Sequence, residues 1–135
     1  MTAPPTTLDP PAAGISNMSY TIQSAAATMT FDPYTASNAG YAIGTISYTA
    51  TYSSGLALDS WIVFDDTTRT FTVESDDNAK FAGSPYTIKI SASESGALGL
   101  THTTQTFTLT ITKYTVTLVA PSDVNDISYV LSGTA

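Results

Sequence analysis

The sequence predicts an all-β fold, a sandwich of about seven strands. Three observations carry that prediction. Apolar residues recur with a period of two in segment after segment. No stretch of about 10–15 residues shows the period of 3.6 that an amphipathic helix requires. Polar turns rich in Gly, Asn, Asp and Ser separate the alternating runs at short intervals, which makes two packed sheets the economical arrangement.

The elements follow in order. Pro4, Pro5, Pro10 and Pro11 fix φ and remove backbone donors, so residues 1–14 read as an extended, Pro-rich linker. Met18, Tyr20 and Ile22 alternate with Ser19 and Thr21, and Met29 and Phe31 alternate with Thr28 and Thr30, giving two half-buried strands. A loop rich in Ala, Ser and Gly spans 32–42. Beyond it, Ile46, Tyr48, Ala50 and Tyr52 share one face of a longer strand. Trp61 to Phe64 and Thr70 to Val73 are β-forming runs on either side of Asp65-Asp66-Thr67-Thr68-Arg69, a hairpin signal in which an Asp–Arg ion pair would close the turn.

The polar segment Glu74 to Asn78 leads into a single helical turn around Ala79 to Phe81. Tyr86, Ile88, Ile90 and Ala92 form the cleanest alternation, Glu94 to His102 reads as a hairpin loop with Gly96 and Gly99, and Phe107, Leu109 and Ile111 alternate with Thr106, Thr108, Thr110 and Thr112. At Lys113 the apolar register shifts to Tyr114, Val116 and Leu118. A one-residue slip reverses the buried face, so the sequence predicts either a β-bulge or the end of one strand and the start of another serving a different sheet.

A chain of 135 residues supports one domain, placed at 15–113, with a C-terminal extension over 114–135. Met18-Ser19-Tyr20-Thr21-Ile22 echoes Ile127-Ser128-Tyr129-Val130-Leu131. Alternation alone produces such matches, and so does a tandem repeat in which the chain carries one module plus the first strand of the next. In the second case the extension would pair with its own domain or add as a strand to a neighbour.

Charged residues make up 11% of the chain, with 11 acids against 4 bases and a net charge of −7. Nucleic acid and anionic membranes both need clustered Lys and Arg, so neither is an expected partner. Hydrophobic residues reach 42%, enough for a folded core. Solubility then rests on Ser and Thr, which hold roughly three positions in ten, well above ordinary usage. There is no cysteine, hence no disulfide or thiolate chemistry. No apolar run reaches the ~18 residues of a membrane span, and Met1 to Thr7 lacks the basic and apolar regions of a signal peptide, so a secreted form is expected to be a piece of a longer protein.

The hairpin Trp61-x-x-Phe64-Asp65, polar turn, Arg69-x-Phe71-x-Val73 resembles the central hairpin of cadherin-like modules of the dystroglycan type and of related immunoglobulin-like surface repeats. The resemblance covers residues 15–112 and implies a cadherin-like or immunoglobulin-like β-sandwich at the cell surface. It also raises calcium as the one cofactor to consider. Asp123, Asn125 and Asp126 are similar to the Asp-x-Asn-Asp linker of calcium-binding cadherins, which supplies oxygen ligands. A solvated Asx turn is the alternative reading of the same residues. The acidic motifs that complete a cadherin calcium site are absent from Glu74–Asn78 and from Ser91-Ala92-Ser93-Glu94.

Catalysis finds no support in the residue pattern. His102, the sole histidine, sits between threonines, with no Gly-x-Ser-x-Gly elbow to serve. Tyr20, Tyr34, Tyr41, Tyr48, Tyr52 and Trp61 are either a sugar-stacking platform or, where they alternate, core residues. Asn17-Met18-Ser19 is a candidate N-glycosylation sequon.

The sequence thus points to a non-enzymatic, extracellular structural or adhesive module whose partners are copies of itself or neighbouring repeats. Assembly would run head to tail by strand addition, through Tyr114, Val116, Leu118, Ile127, Tyr129 and Leu131. The alternatives are a carbohydrate- or ligand-binding module and a calcium-rigidified adhesin repeat.

Overall fold

A computed structural model describes residues 7–36, 43–96, 100 and 104–122. The described chain is all-β, with strands β1 (Leu8–Asp9), β2 (Met18–Thr21), β3 (Ala27–Thr30), β4 (Thr35–Ala36), β5 (Ile46–Tyr52), β6 (Ile62–Asp65), β7 (Thr70–Val73), β8 (Tyr86–Glu94) and β9 (Gln105–Thr112). A single 3-10 helix, Asn78–Gly83, lies between β7 and β8. The strands form a four-stranded sheet in the order β2-β9-β8-β5, a three-stranded sheet β3-β7-β6 and a two-stranded pair β1-β4.

Alternation decides what each strand buries. In β8 the even-numbered residues Ile88 and Ile90 are fully buried, and in β9 so is Leu109, with Phe107 and Ile111 nearly so. Their counterparts in the other sheet are Phe71, Val73 and Ile62. One core joins the two sheets, crossed by the edge-on contact of Phe71 with Phe107 at 4.9 Å between centroids. Each fully buried side chain of this size contributes about 1.5–3 kcal/mol relative to exposure. The outward positions carry hydroxyls that bond across strands: Thr30 and Thr70 approach to 2.7 Å, and Ser47 and Ser93 to 3.1 Å.

The direction of the chain follows from one parallel pairing. β2 runs parallel to β9, with Met18 opposite Leu109 and Thr21 opposite Thr112. The segment before β2 and the segment after β9 therefore leave opposite ends of the sheet. β8 is antiparallel to both β9 and β5.

Three features depart from expectation. Leu8 and Asp9, inside the segment expected to be a linker, form β1, and Leu8 is only 2% exposed in the core. Segment 32–36, expected as loop, holds β4 and the buried Tyr34. After Thr112 the register shift produces no bulge: β9 ends there, and no strand forms over 113–122. Those residues have lost the pairing partners that β8 and β2 supply to β9.

Candidate functional site

The tail beyond β9 carries the two most exposed large apolar side chains among the described residues, Leu118 and Val119. Tyr114, Val116, Leu118 and Val119 are 40%, 67%, 92% and 84% exposed, and they alternate or run together with threonines in a strand-like composition. Its root is fixed by the 3-10 helix. Asp77 caps that helix by accepting from the Ala79 N–H at 2.9 Å, and Lys80 pairs back to Asp77 at 3.7 Å. The Tyr86 hydroxyl donates to the Lys80 carbonyl at 2.6 Å, passing so close to Gly83 that a Cβ there would stand 2.6 Å from the hydroxyl oxygen. Asn78, on this braced turn, then holds Tyr114 by its backbone, with its Oδ1 accepting from the Tyr114 N–H at 3.0 Å.

The other assembly residues expected from sequence, Ile127, Tyr129 and Leu131, lie outside the described residues, as do Asp123, Asn125 and Asp126, His102 and Tyr41. Asn17 is exposed immediately before β2, and its Oδ1 accepts from the Thr108 N–H at 2.9 Å, tying it to β9.

The hairpin charges work differently from the expected ion pair. Asp65 Oδ1 accepts from the N–H groups of Thr67 and Thr68 at 2.9 and 3.2 Å, and these amides hold its carboxyl below the usual carboxylate range. Arg69 adopts a left-handed backbone, φ 57°, and its Nε donates to the Phe31 carbonyl at 3.2 Å. Among the described residues the ion pair is Lys80 with Asp77, so Arg69 stitches β3 to the hairpin instead of neutralising Asp65 or Asp66.

Tyr20, Tyr34, Tyr48 and Trp61 are buried in the core and form no stacking platform. Trp61 meets Tyr86 edge-on at 5.3 Å, and its Nε1 donates to Asp59 at 3.3 Å. Tyr52 donates to the same carboxylate at 3.0 Å, and burial, with Asp59 beside it, pushes its phenol up to about 12. Sequence reasoning gave no role to Glu94, a carboxylate only 6% exposed. Its Oε1 accepts from the Gly44 N–H and its Oε2 from the Leu100 N–H at 3.4 Å. The signal was present: Glu94 extends the inward series Tyr86, Ile88, Ile90, Ala92 by one more step of two.

Among the described residues no pocket opens and no three His, Asp or Glu side chains converge. Nor is any helix there long and apolar enough to cross a membrane. No protein-family model matches this sequence, and no curated protein matches it.

Proposed function

We propose that this chain is an extracellular structural or adhesive module, a cadherin-like or immunoglobulin-like β-sandwich of the dystroglycan type, that joins copies of itself head to tail through its C-terminal segment. The observation that carries the reading is the exposed alternation of Tyr114, Val116 and Leu118 on a segment rooted by Asn78. Val116 and Leu118, on one face of such a strand, would each gain up to about 1.5–3 kcal/mol on burial, which offsets part of the cost of ordering a short strand, and new main-chain hydrogen bonds add to it. An uncovered strand-like segment of this composition favours pairing with another chain.

The opposite exits of the chain from the β2-β9 pair support an arrangement in series. A hydroxyl-rich, charge-poor composition supports a structural role outside the cell, and this reading assigns the module no enzyme activity. The test compares the full chain with a chain ending at Thr112, by light scattering and negative-stain microscopy. Strings or filaments that disappear on truncation are expected. Monomers in both cases would overturn the reading.

A further inference from the structure

The buried position of Leu8 gives the tail a specific destination. Leu8 sits opposite Ala36 in the β1-β4 pair and is 2% exposed. Together with Met18, Tyr20 and Ile22, all between 0% and 7% exposed, it is how the leading segment of the chain enters the core. That segment is Thr7-Leu8, then Pro10 and Pro11, then Met18-Ser19-Tyr20-Thr21-Ile22.

The tail repeats the same order: Thr117-Leu118, then Pro121, then Ile127-Ser128-Tyr129-Val130-Leu131. Leu118 stands nine residues before Ile127 where Leu8 stands ten before Met18, so the two copies differ by one residue in the Pro-containing connector. Each core-entering side chain has a counterpart, apolar for apolar and Tyr for Tyr. Leu118 is nevertheless 92% exposed, which is the state Leu8 would have without its surroundings.

We propose that the segment beginning at Thr117 is the leading segment of a following module of this same fold, and that Leu118 seats there, opposite the counterpart of Ala36, as Leu8 seats here. The proposal rests on the serial arrangement in the reading above, not on assembly between separate chains, and names what the tail joins. The partner is a unit of this kind whose own first strands are supplied by the tail. The parallel β2-β9 pairing puts that unit beyond the end of the sheet opposite to β2's start, in series with the first.

At the offset that sets Ile127 on Met18, Ala135 stands where Ala26 stands in the first copy, so the full chain 1–135 extended directly by residues 27–122 should contain two complete units. The expected result is cooperative folding of both, and Leu118→Asp should lower the melting temperature of the second unit while the first keeps its own. Because the chain has no cysteine, Leu118→Cys combined with Ala36→Cys in the second unit tests the register. Opposed strand residues lie within disulfide reach, and a cross-link is expected.

A control carries residues 7–26 ahead of the second unit in place of 117–135, which leaves β9 of the first unit whole. A second unit that folds behind residues 7–26 but stays unfolded behind the tail would overturn the proposal. So would a folded second unit indifferent to Leu118→Asp and without the cross-link. Polymerisation of separate chains is a different readout: a folded two-unit protein from a chain that stays monomeric would overturn assembly between chains and keep the repeat.

Discussion

Asn78 holds both backbone polar groups of Tyr114, its Oδ1 accepting from the N–H at 3.0 Å and its Nδ2 donating to the C=O at 3.5 Å. This is the service a neighbouring strand performs in a sheet, where one residue has its N–H and C=O satisfied together. The side chain therefore ends the sheet in an orderly way and sets where the tail departs. Asn78→Ala should leave those groups to water, at a net cost of about 0.5–1.5 kcal/mol confined to the root of the tail. The expected outcome is an up to about tenfold faster amide exchange at Tyr114 with little change in melting temperature. Unchanged exchange would show that the contact does not hold the tail.

Glu94 is the least expected member of the core, and its two oxygens serve the N–H groups of Gly44 and Leu100. Each buried donor left without an acceptor costs on the order of 1–3 kcal/mol. Glu94→Ala should accordingly lower the denaturation midpoint strongly, while Glu94→Gln, which keeps one acceptor oxygen, should fall between it and the parent. A methyl at Gly96 would land on Glu94 Oε1, so Gly96→Ala should destabilise in the same direction. Alanine and glutamine variants both as stable as the parent would mean that the carboxylate's hydrogen bonds contribute nothing.

The strict alternations made most strands legible. Met18 to Ile22, Ile46 to Tyr52, Tyr86 to Ala92 and Phe107 to Ile111 each face inward as their period of two requires, and the Trp61 hairpin pairs Asp65 with Thr70 across its turn. β1 and β4 were not legible because two residues cannot display a period, and the surrounding prolines outweigh one leucine. Glu94 was hidden by its charge, which argues against burial unless backbone donors are waiting for it. Opposite charges in the turn suggested a pair, but a left-handed backbone at Arg69 aims the guanidinium at the Phe31 carbonyl. The exposed tail was legible as apolar alternation. What it lacks among the described residues, a partner strand, is a property of the fold.

Asp65 makes the hairpin turn sensitive to acid. The Thr68 and Thr67 amides donate to its carboxylate and hold its folded value below its unfolded one. Its contribution is thus complete above the unfolded value near 4 and is lost as pH falls through the folded value. Asp65→Asn should lower the melting temperature at neutral pH, and the gap to the parent should shrink as pH drops through the acid range. The effect is small because the carboxyl is fully exposed and water screens it. A gap that stays constant with pH would assign the effect to turn geometry instead of charge.

Tyr34 sets the opposite, alkaline limit. Burial first and the neighbouring Tyr48 second push its phenol up to about 12, and Tyr48 is held close because its hydroxyl accepts from the Tyr34 N–H at 3.1 Å. The unfolded phenol ionises near 10, so the folded state retains the proton more tightly. Its contribution is complete below about 10 and is lost as pH rises from there through the folded value. The slope of stability against pH over that window is the informative quantity, since removing a hydroxyl alters packing equally at every pH. Tyr34→Phe should make the slope shallower while leaving the share from Tyr52, whose phenol is also raised to about 12. Tyr52 is the more exposed of the two, so its share should be the smaller one. An unchanged slope in Tyr34→Phe would mean that the core tolerates a phenolate beside Tyr48, which a 2% exposed ring edge-on to Tyr48 at 5.6 Å gives no room or solvent to do.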